Sequence, residues 1–107
     1  MKVFISVPIE TGNVGFAIER ANTMKRKVMR KGHECVTQFD ASPGTGDIAL
    51  HCGRNVTALL RCDALFLLSA WANYQPCAVC WEVAQIFGKT IYTNINQIPG
   101  PKDNEED

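Results

Sequence analysis

The chain has no long run of apolar residues. Its apolar runs, among them residues 3–5 and 64–68, are at most five residues long, whereas a membrane-spanning helix needs about 20 such residues. Near the start, Pro8 and Glu10 interrupt the apolar sequence before a secretory signal could form. We therefore expect a cytoplasmic protein that makes no contact with a membrane.

The chain also lacks a surplus of charge of either sign. Eleven lysines and arginines balance eleven aspartates and glutamates. Polymeric nucleic acids are bound largely through positive charge, which neutralises their phosphates. The sequence therefore predicts no polymeric nucleic acid as partner and favours a small molecule or another protein.

Apolar residues recur in patterns that alternate between strand and helix. Short apolar runs predict four strands, at residues 2–7, 33–39, 63–69 and 89–95. Spacings of three and four residues predict a helix from Val14 that Gly32 ends, a helix over 47–61, and a helix from Pro76 that Gly88 ends. The buried faces of these helices are predicted to be Val14, Ala17, Ile18, Ala21, Met24 and Val28; Ala49, Cys52, Val56, Leu59 and Leu60; and Val79, Cys80, Val83, Ile86 and Phe87.

The order of these elements predicts an α/β fold. Right-handed crossovers give a four-stranded parallel sheet in the order 2-1-3-4, with helices on both faces, in one domain over residues 1–96. Residues 97–107 are polar, acidic and rich in proline, which predicts a disordered tail. With this strand order the loops 8–13 and 69–75 meet at one crevice, where a ligand pocket is expected.

Two polar residues lie at the edges of the predicted buried helix faces. Glu82 falls roughly 100° from the centre of its helix's apolar face, and Asn55 has the same offset on the preceding helix. A carboxylate near the ends of parallel strands can serve as a base or a nucleophile. A solvated helix carboxylate is the alternative interpretation of Glu82.

Five segments carry a resemblance to a known family. They are Phe4-Ile5-Ser6-Val7-Pro8-Ile9, Gly32-His33, the stretch 59–68 leading into Trp71, Glu82-Val83-Ala84, and Phe87-Gly88-Lys89. In their order and spacing they resemble the nucleoside 2-deoxyribosyltransferase-like superfamily, and within it a small family of short bacterial and phage proteins. The resemblance implies a flavodoxin-like three-layer sandwich, often dimeric, that transfers or hydrolyses the N-glycosidic bond of 2′-deoxynucleosides or nucleotides. We expect no cofactor and no metal.

The resemblance also implies the roles of particular residues. Glu82 would be the nucleophile that attacks the anomeric carbon. The predicted substrate-binding residues are Ser6, Pro8, Asn13, Asn55, Ser69, Trp71 and Tyr74. Trp71 and Tyr74 are candidates for stacking on a base, with simple anchoring of the loop as the alternative.

The chain departs from the family pattern at four positions. Pro76 stands where serine is common, Ala78 and Val7 where glycine is usual, and Asn55 where an aspartate is common. An asparagine can hydrogen-bond a hydroxyl but cannot act as a base. These departures favour a second hypothesis, a non-catalytic nucleotide-binding or regulatory module, whereas the presence of Glu82 favours the enzyme.

A third hypothesis is a thiol redox or metal-binding protein built on Cys77 and Cys80. Cys77 and Cys80 form a Cys-x-x-Cys at the start of a helix, a position that favours thiolates in redox proteins. A zinc site would need two more ligands, and the sequence offers no second close pair of cysteines or histidines. We therefore predict that both thiols are reduced and that Cys80 packs in the core.

Two histidines and a tryptophan complete the set of conspicuous residues. His33 opens a strand and His51 lies off the predicted apolar face of its helix, so both are expected to be structural or solvated. Trp81 points away from the predicted buried face. An exposed tryptophan is unusual and predicts a homodimer contact or a ligand wall.

Overall fold

Four short parallel strands form the centre of a computed structural model that describes residues 1–10, 12–44 and 46–101. The strands are β1 Lys2–Ser6, β2 Glu34–Thr37, β3 Ala64–Leu67 and β4 Thr90–Tyr92. They pair in the order β2-β1-β3-β4, and every pair is parallel. The sheet predicted from the sequence is confirmed.

In the described part of the chain, four α-helices flank the sheet. They are α1 Val14–Arg30, α2 Gln38–Ala41, α3 Ile48–Leu60 and α4 Gln75–Ile86. The Asp47 side chain caps α3, since it accepts hydrogen bonds from the backbone nitrogens of Ala49 and Leu50 at 3.0 and 3.2 Å. Within the described ranges, no helix is long and apolar enough to cross a membrane.

The core has two layers, one on each face of the sheet. Val3, Ile5 and Val7 pack with α1 on one face. Phe4 belongs to the other layer, together with residues of β3, α3 and α4. This alternation follows from the two-residue period of a strand, and it produces the predicted three-layer, flavodoxin-like arrangement.

The second strand is shorter than predicted. It ends at Thr37, and the chain turns at once into the one-turn helix α2. The Thr37 hydroxyl accepts from the backbone nitrogen of Asp40, and the Asp40 carboxylate accepts from the backbone nitrogen of Thr37. This reciprocal capping box stabilises a helix start where the sequence predicted two more strand residues.

The buried faces of α3 and α4 differ from the predicted ones. On α3 the buried residues are His51, Asn55 and Leu59. On α4 they are Pro76, Cys77, Cys80 and Ala84, whereas Val79, Ile86 and Phe87 are exposed. Small residues on α4 allow the helix to approach the sheet and α3 closely, so packing geometry and not hydrophobicity alone selects the buried face.

The segment 97–101, predicted as the start of a disordered tail, is packed against the fold. Ile98 is only 2% exposed and joins the core layer beside α1. His33 Nε2 donates to the carbonyl oxygen of Pro99 at 2.6 Å, and Lys31 Nζ donates to that of Pro101 at 3.0 Å. The prediction of disorder from residue 97 was therefore wrong for these five residues, and its remainder, 102–107, lies outside the described residues.

Candidate functional site

A crevice opens at the carboxyl end of the sheet, beside β1 and β2. It begins as an apolar compartment of about 460 Å³ between the starts of α1 and α3 and the end of α2. Its walls are Ile9, Val14, Ile18, Phe39, Ser42, Gly44, Gly46, Ile48, His51 and Tyr74. The sequence assigned Val14 and Ile18 to the core, but both are exposed because they line this compartment.

A second, more polar compartment continues the crevice towards β3. Its volume is about 350 Å³, and it is lined by Pro8, Ile9, Glu10, Ala70, Asn73 and Tyr74. Ile9 and Tyr74 line both compartments, so the two are adjacent parts of one crevice. This is the switch point between β1 and β3 that the strand order predicted.

The backbone of Ala70 is strained at this crevice. Its φ of 68° lies in the left-handed region that residues other than glycine rarely adopt. Such strain persists only where the surroundings enforce it, and it is common at ligand sites. Here it turns the chain directly after β3, so that Asn73 and Tyr74 reach the crevice.

A buried polar cluster lies at the apolar compartment. Asn55 Nδ2 donates to His51 Nε2 at 3.1 Å, which requires a neutral imidazole with its proton on Nδ1. Burial lowers the pKa of His51 and so favours this neutral form. Within the described residues, the buried Gln38 Nε2, Ser42 Oγ and Asn55 Oδ1 have no hydrogen-bond partner. Ser42, His51 and Tyr74 are the polar side chains among the described lining residues, and the Ser42 oxygen is buried within the wall.

Pro8 and Tyr74 are the predicted site residues that the crevice brings together. Tyr74 is half-buried, and burial raises the pKa of its hydroxyl, which therefore stays protonated at neutral pH. Asn55 lies behind the crevice wall, fully buried against His51. Asn55 therefore influences the apolar compartment only by orienting the His51 imidazole, which lines it.

The other predicted binding residues line neither compartment. The buried Ser6 hydroxyl donates to Cys77 Sγ at 3.1 Å. Ser69 Oγ accepts from Arg20 Nη2 at 3.3 Å. Asn13 precedes α1 as an exposed N-cap without a side-chain capping bond.

Trp71 packs against another tryptophan of the same chain. Its ring stacks on that of Trp81, with centroids 5.5 Å apart and planes inclined by 28°. Both tryptophans are half-buried and pack against the core layer of α3 and α4. Trp81 is therefore not the exposed aromatic that the sequence predicted, and its partner is Trp71.

Glu82 lies in a separate groove on the outer side of α3 and α4. This groove of about 330 Å³ is lined by Ile48, Ala49, Cys52, Gln75, Ala78, Val79 and Glu82. The Glu82 side chain is exposed to solvent. Ile48 also lines the apolar compartment, so the groove of Glu82 borders the crevice at this residue.

The thiols of the Cys-x-x-Cys are buried at the sheet side of α4. Burial raises the pKa of Cys77 to about 11 and that of Cys80 to about 12. The thiols are therefore protonated at neutral pH, which is the inert state of a cysteine. No group of three or more metal-ligating side chains occurs among the described residues.

Several crevice residues were missed by sequence reasoning. Glu10 and Asn73 lie in the two loops that were expected to converge, so their positions in the sequence could have identified them as crevice residues. His51 carried no such signal, because its burial depends on the rotation of α3 about its axis.

The crevice is thus defined by geometry, independently of any relative. Its elements and walls follow from the strand order and from the loops after β1, β2 and β3. The resemblance to the deoxyribosyltransferase superfamily remains a prediction. No protein-family model, curated protein or solved structure matches the chain.

Proposed function

We propose that this protein binds a nucleoside in the crevice, with the base in the apolar compartment and the sugar in the polar one, and has no catalytic activity of its own. The observation that carries the proposal is the adjacency of two compartments of different character across Ile9 and Tyr74. A nucleoside has the same division, since a planar base is joined to a hydroxylated sugar. The ligand class comes from the sequence resemblance.

The apolar compartment has the size and walls that a base requires. Small-molecule sites occupy about 300–1,000 Å³ and combine apolar walls with a few polar groups. Phe39 and Tyr74 supply aromatic surface on which a base can stack. No lysine, arginine, aspartate or glutamate occurs among its described lining residues, so an uncharged ring is favoured over a phosphate.

The polar groups of this compartment match the edge of a base. With Nε2 accepting from Asn55, the protonated Nδ1 of His51 is a donor. The Ser42 hydroxyl has no partner within the described part of the chain and can donate or accept. A base edge carries both donors and acceptors, so a ligand that reached these groups would satisfy polar atoms that are costly to leave unpaired.

Thermal shift and titration calorimetry test the proposal. Purified protein is titrated with adenosine, guanosine, cytidine and uridine, and with their 5′-monophosphates. We expect at least one nucleoside to bind, and to raise the unfolding free energy by about 2.7 kcal/mol at a hundredfold excess over its Kd. Absence of binding by all four nucleosides and by their 2′-deoxy counterparts contradicts the proposal.

A substitution that fills the apolar compartment tests whether the nucleoside binds there. Gly46 lines the apolar compartment, and a Cβ added there meets open space, so Gly46→Leu should fold normally and occupy the cavity. Gly53→Leu is the matched control, because Gly53 also faces open space but lies on α3 away from this compartment. We expect loss of nucleoside binding in the first variant only, and equal losses in both would contradict the site.

An N-glycosidic enzyme with Glu82 as nucleophile is the second candidate. The observation in its favour is that Ile48 lines both the crevice and the groove of Glu82, so the two cavities are neighbours. In the reaction the carboxylate would bond to the anomeric carbon while the carbon–nitrogen bond breaks and the base takes a proton from water. The hydroxide so formed would then attack the anomeric carbon and release the sugar and the carboxylate, or it would take the proton of another base that attacks there.

Substitution of Glu82 decides between the two candidates. If the enzyme exists, Glu82→Ala should lower release of free base by orders of magnitude, because covalent catalysis is lost, and the exposed position should leave the fold intact. Chromatography of base formed from nucleosides and 5′-monophosphates is the assay, with the exposed Glu19→Ala as matched control. Turnover by Glu82→Ala at the wild-type rate would exclude Glu82 as nucleophile.

A further inference from the structure

Glu10 brings a carboxylate to the polar compartment. It follows β1 by four residues, and its backbone oxygen accepts from the nitrogen of Asn13 at 2.9 Å, which holds the loop against the start of α1. Its side chain is exposed and makes no hydrogen bond or ion pair with any described residue. Among the described residues that line either compartment, it is the one aspartate, glutamate, lysine or arginine.

We infer that Glu10 recognises two neighbouring hydroxyls of the ligand's sugar, so that the preferred ligand is a ribonucleoside and not a 2′-deoxynucleoside. This inference rests on the proposed function and names the sugar that the same crevice selects. The resemblance to deoxyribosyltransferases implies the opposite preference, so the inference arises from the crevice itself.

The chemistry of a carboxylate explains the selection. An ionised carboxylate has two acceptor oxygens and no donor, and a vicinal diol presents two donors at matching spacing. An acidic residue binds ribose hydroxyls in this way in dinucleotide-binding folds. A 2′-deoxyribose lacks one of the two donors, and one carboxylate oxygen then has no ligand partner.

The neighbours of Glu10 support a neutral, hydroxylated ligand. Asn73 lines the same compartment and can donate to and accept from a hydroxyl. No described lysine or arginine lines the compartment, so Glu10 would repel a phosphate without compensation. Tyr74 separates this compartment from the apolar one and would lie at the junction of base and sugar.

Paired titrations of ribonucleosides and deoxynucleosides test the inference. The dissociation constants of adenosine, guanosine, cytidine and uridine are compared with those of their 2′-deoxy counterparts by calorimetry on the full chain. A hydrogen bond to a charged group contributes about 1.5–3 kcal/mol, so the best-bound ribonucleoside should bind about tenfold or more tightly than its deoxy form. In Glu10→Gln that ratio should fall towards one, whereas Glu19→Gln should retain it.

The possible results separate the inference from the proposed function. Binding of ribonucleosides and deoxynucleosides with equal affinity, or an unchanged ratio in Glu10→Gln, overturns the inference and leaves the nucleoside site standing. Absence of binding by all eight nucleosides overturns both. Because the Glu10 side chain is exposed and unpaired, the folded state of the variant should match that of the wild type, and its circular dichroism spectrum checks this.

Discussion

Single hydrogen bonds in this protein determine which polar groups face the crevice. Asn55, on the buried face of α3, donates to His51 one turn earlier, and this contact fixes the imidazole tautomer. Gln38 accepts a hydrogen bond from the backbone nitrogen of Val7, which ties α2 to the end of β1. Two amide side chains thus hold the elements from which the crevice is built.

The neutral His51 predicts a particular dependence of stability on pH. Burial lowers its pKa in the folded protein, whereas the unfolded chain keeps a pKa of about 6.5. Below that value the unfolded state binds more protons, so the unfolding free energy should fall as the pH falls from about 6.5 to the folded-state pKa. Urea denaturation between pH 7.5 and 5 measures this slope.

Replacing each histidine in turn shows which one causes the dependence of the unfolding free energy on pH. His51→Gln should flatten the dependence, because the buried titrating group is gone. His33→Gln removes the other histidine of the sequence and should leave the slope in place. A slope that survives in His51→Gln and disappears in His33→Gln would contradict the assignment.

The segment after β4 is the element whose role differs most from expectation. A 3₁₀ turn, Ile95–Gln97, leads into Ile98, which fills the core layer beside α1. The Pro99 carbonyl then accepts a hydrogen bond from His33, just before β2, and the Pro101 carbonyl accepts one from Lys31, at the end of α1. This segment and α1 therefore both cover the same face of the sheet.

Truncation of Ile98 tests this packing. Ile98→Ala should lower the unfolding free energy by about 2–5 kcal/mol, the range for truncating a buried isoleucine to alanine. Met29→Ala is the control, because Met29 is exposed on α1 and its truncation should change stability by about 0.5 kcal/mol or less. Chemical denaturation of both variants gives the comparison, and equal small effects would show that Ile98 does not contribute to the core.

The whole molecule retains exposed apolar side chains on one end of α4. Ile86 and Phe87 are 73% and 59% exposed, although the sequence placed both in the core. The homodimer was predicted from Trp81, which instead stacks on Trp71 within the chain. The dimer stays a prediction, and its expected contact moves to Ile86 and Phe87.

Mass measurements in solution test this prediction. We expect sedimentation equilibrium to give a dimer mass at micromolar concentration, and Phe87→Ser to give a monomer because burial of the ring drives association. Phe16→Ser is the matched control, since Phe16 is similarly exposed but lies on α1. A monomeric wild-type chain would refute the dimer.

The sequence by itself determined the architecture of this protein. The buried runs around Val3–Ile5 and Ala64–Leu68 and the spacing of α1 gave the parallel sheet and its order, because strand and helix periods are local properties. The convergence of the loops after β1 and β3 followed from that order, and Pro8 and Tyr74 of these loops line the crevice.

Only the tertiary structure decided which side chains face the crevice. The rotation of α3 and α4 towards small and polar residues and the packing of Ile98 depend on contacts between distant elements. These contacts bury His51 and Asn55 and leave Glu82 in a separate groove. The capping box at Thr37 is instead a local contact, between residues three apart in the chain. A helix rotated by one residue step still satisfies the same apolar pattern, so the pattern fixes the element and packing alone fixes the site.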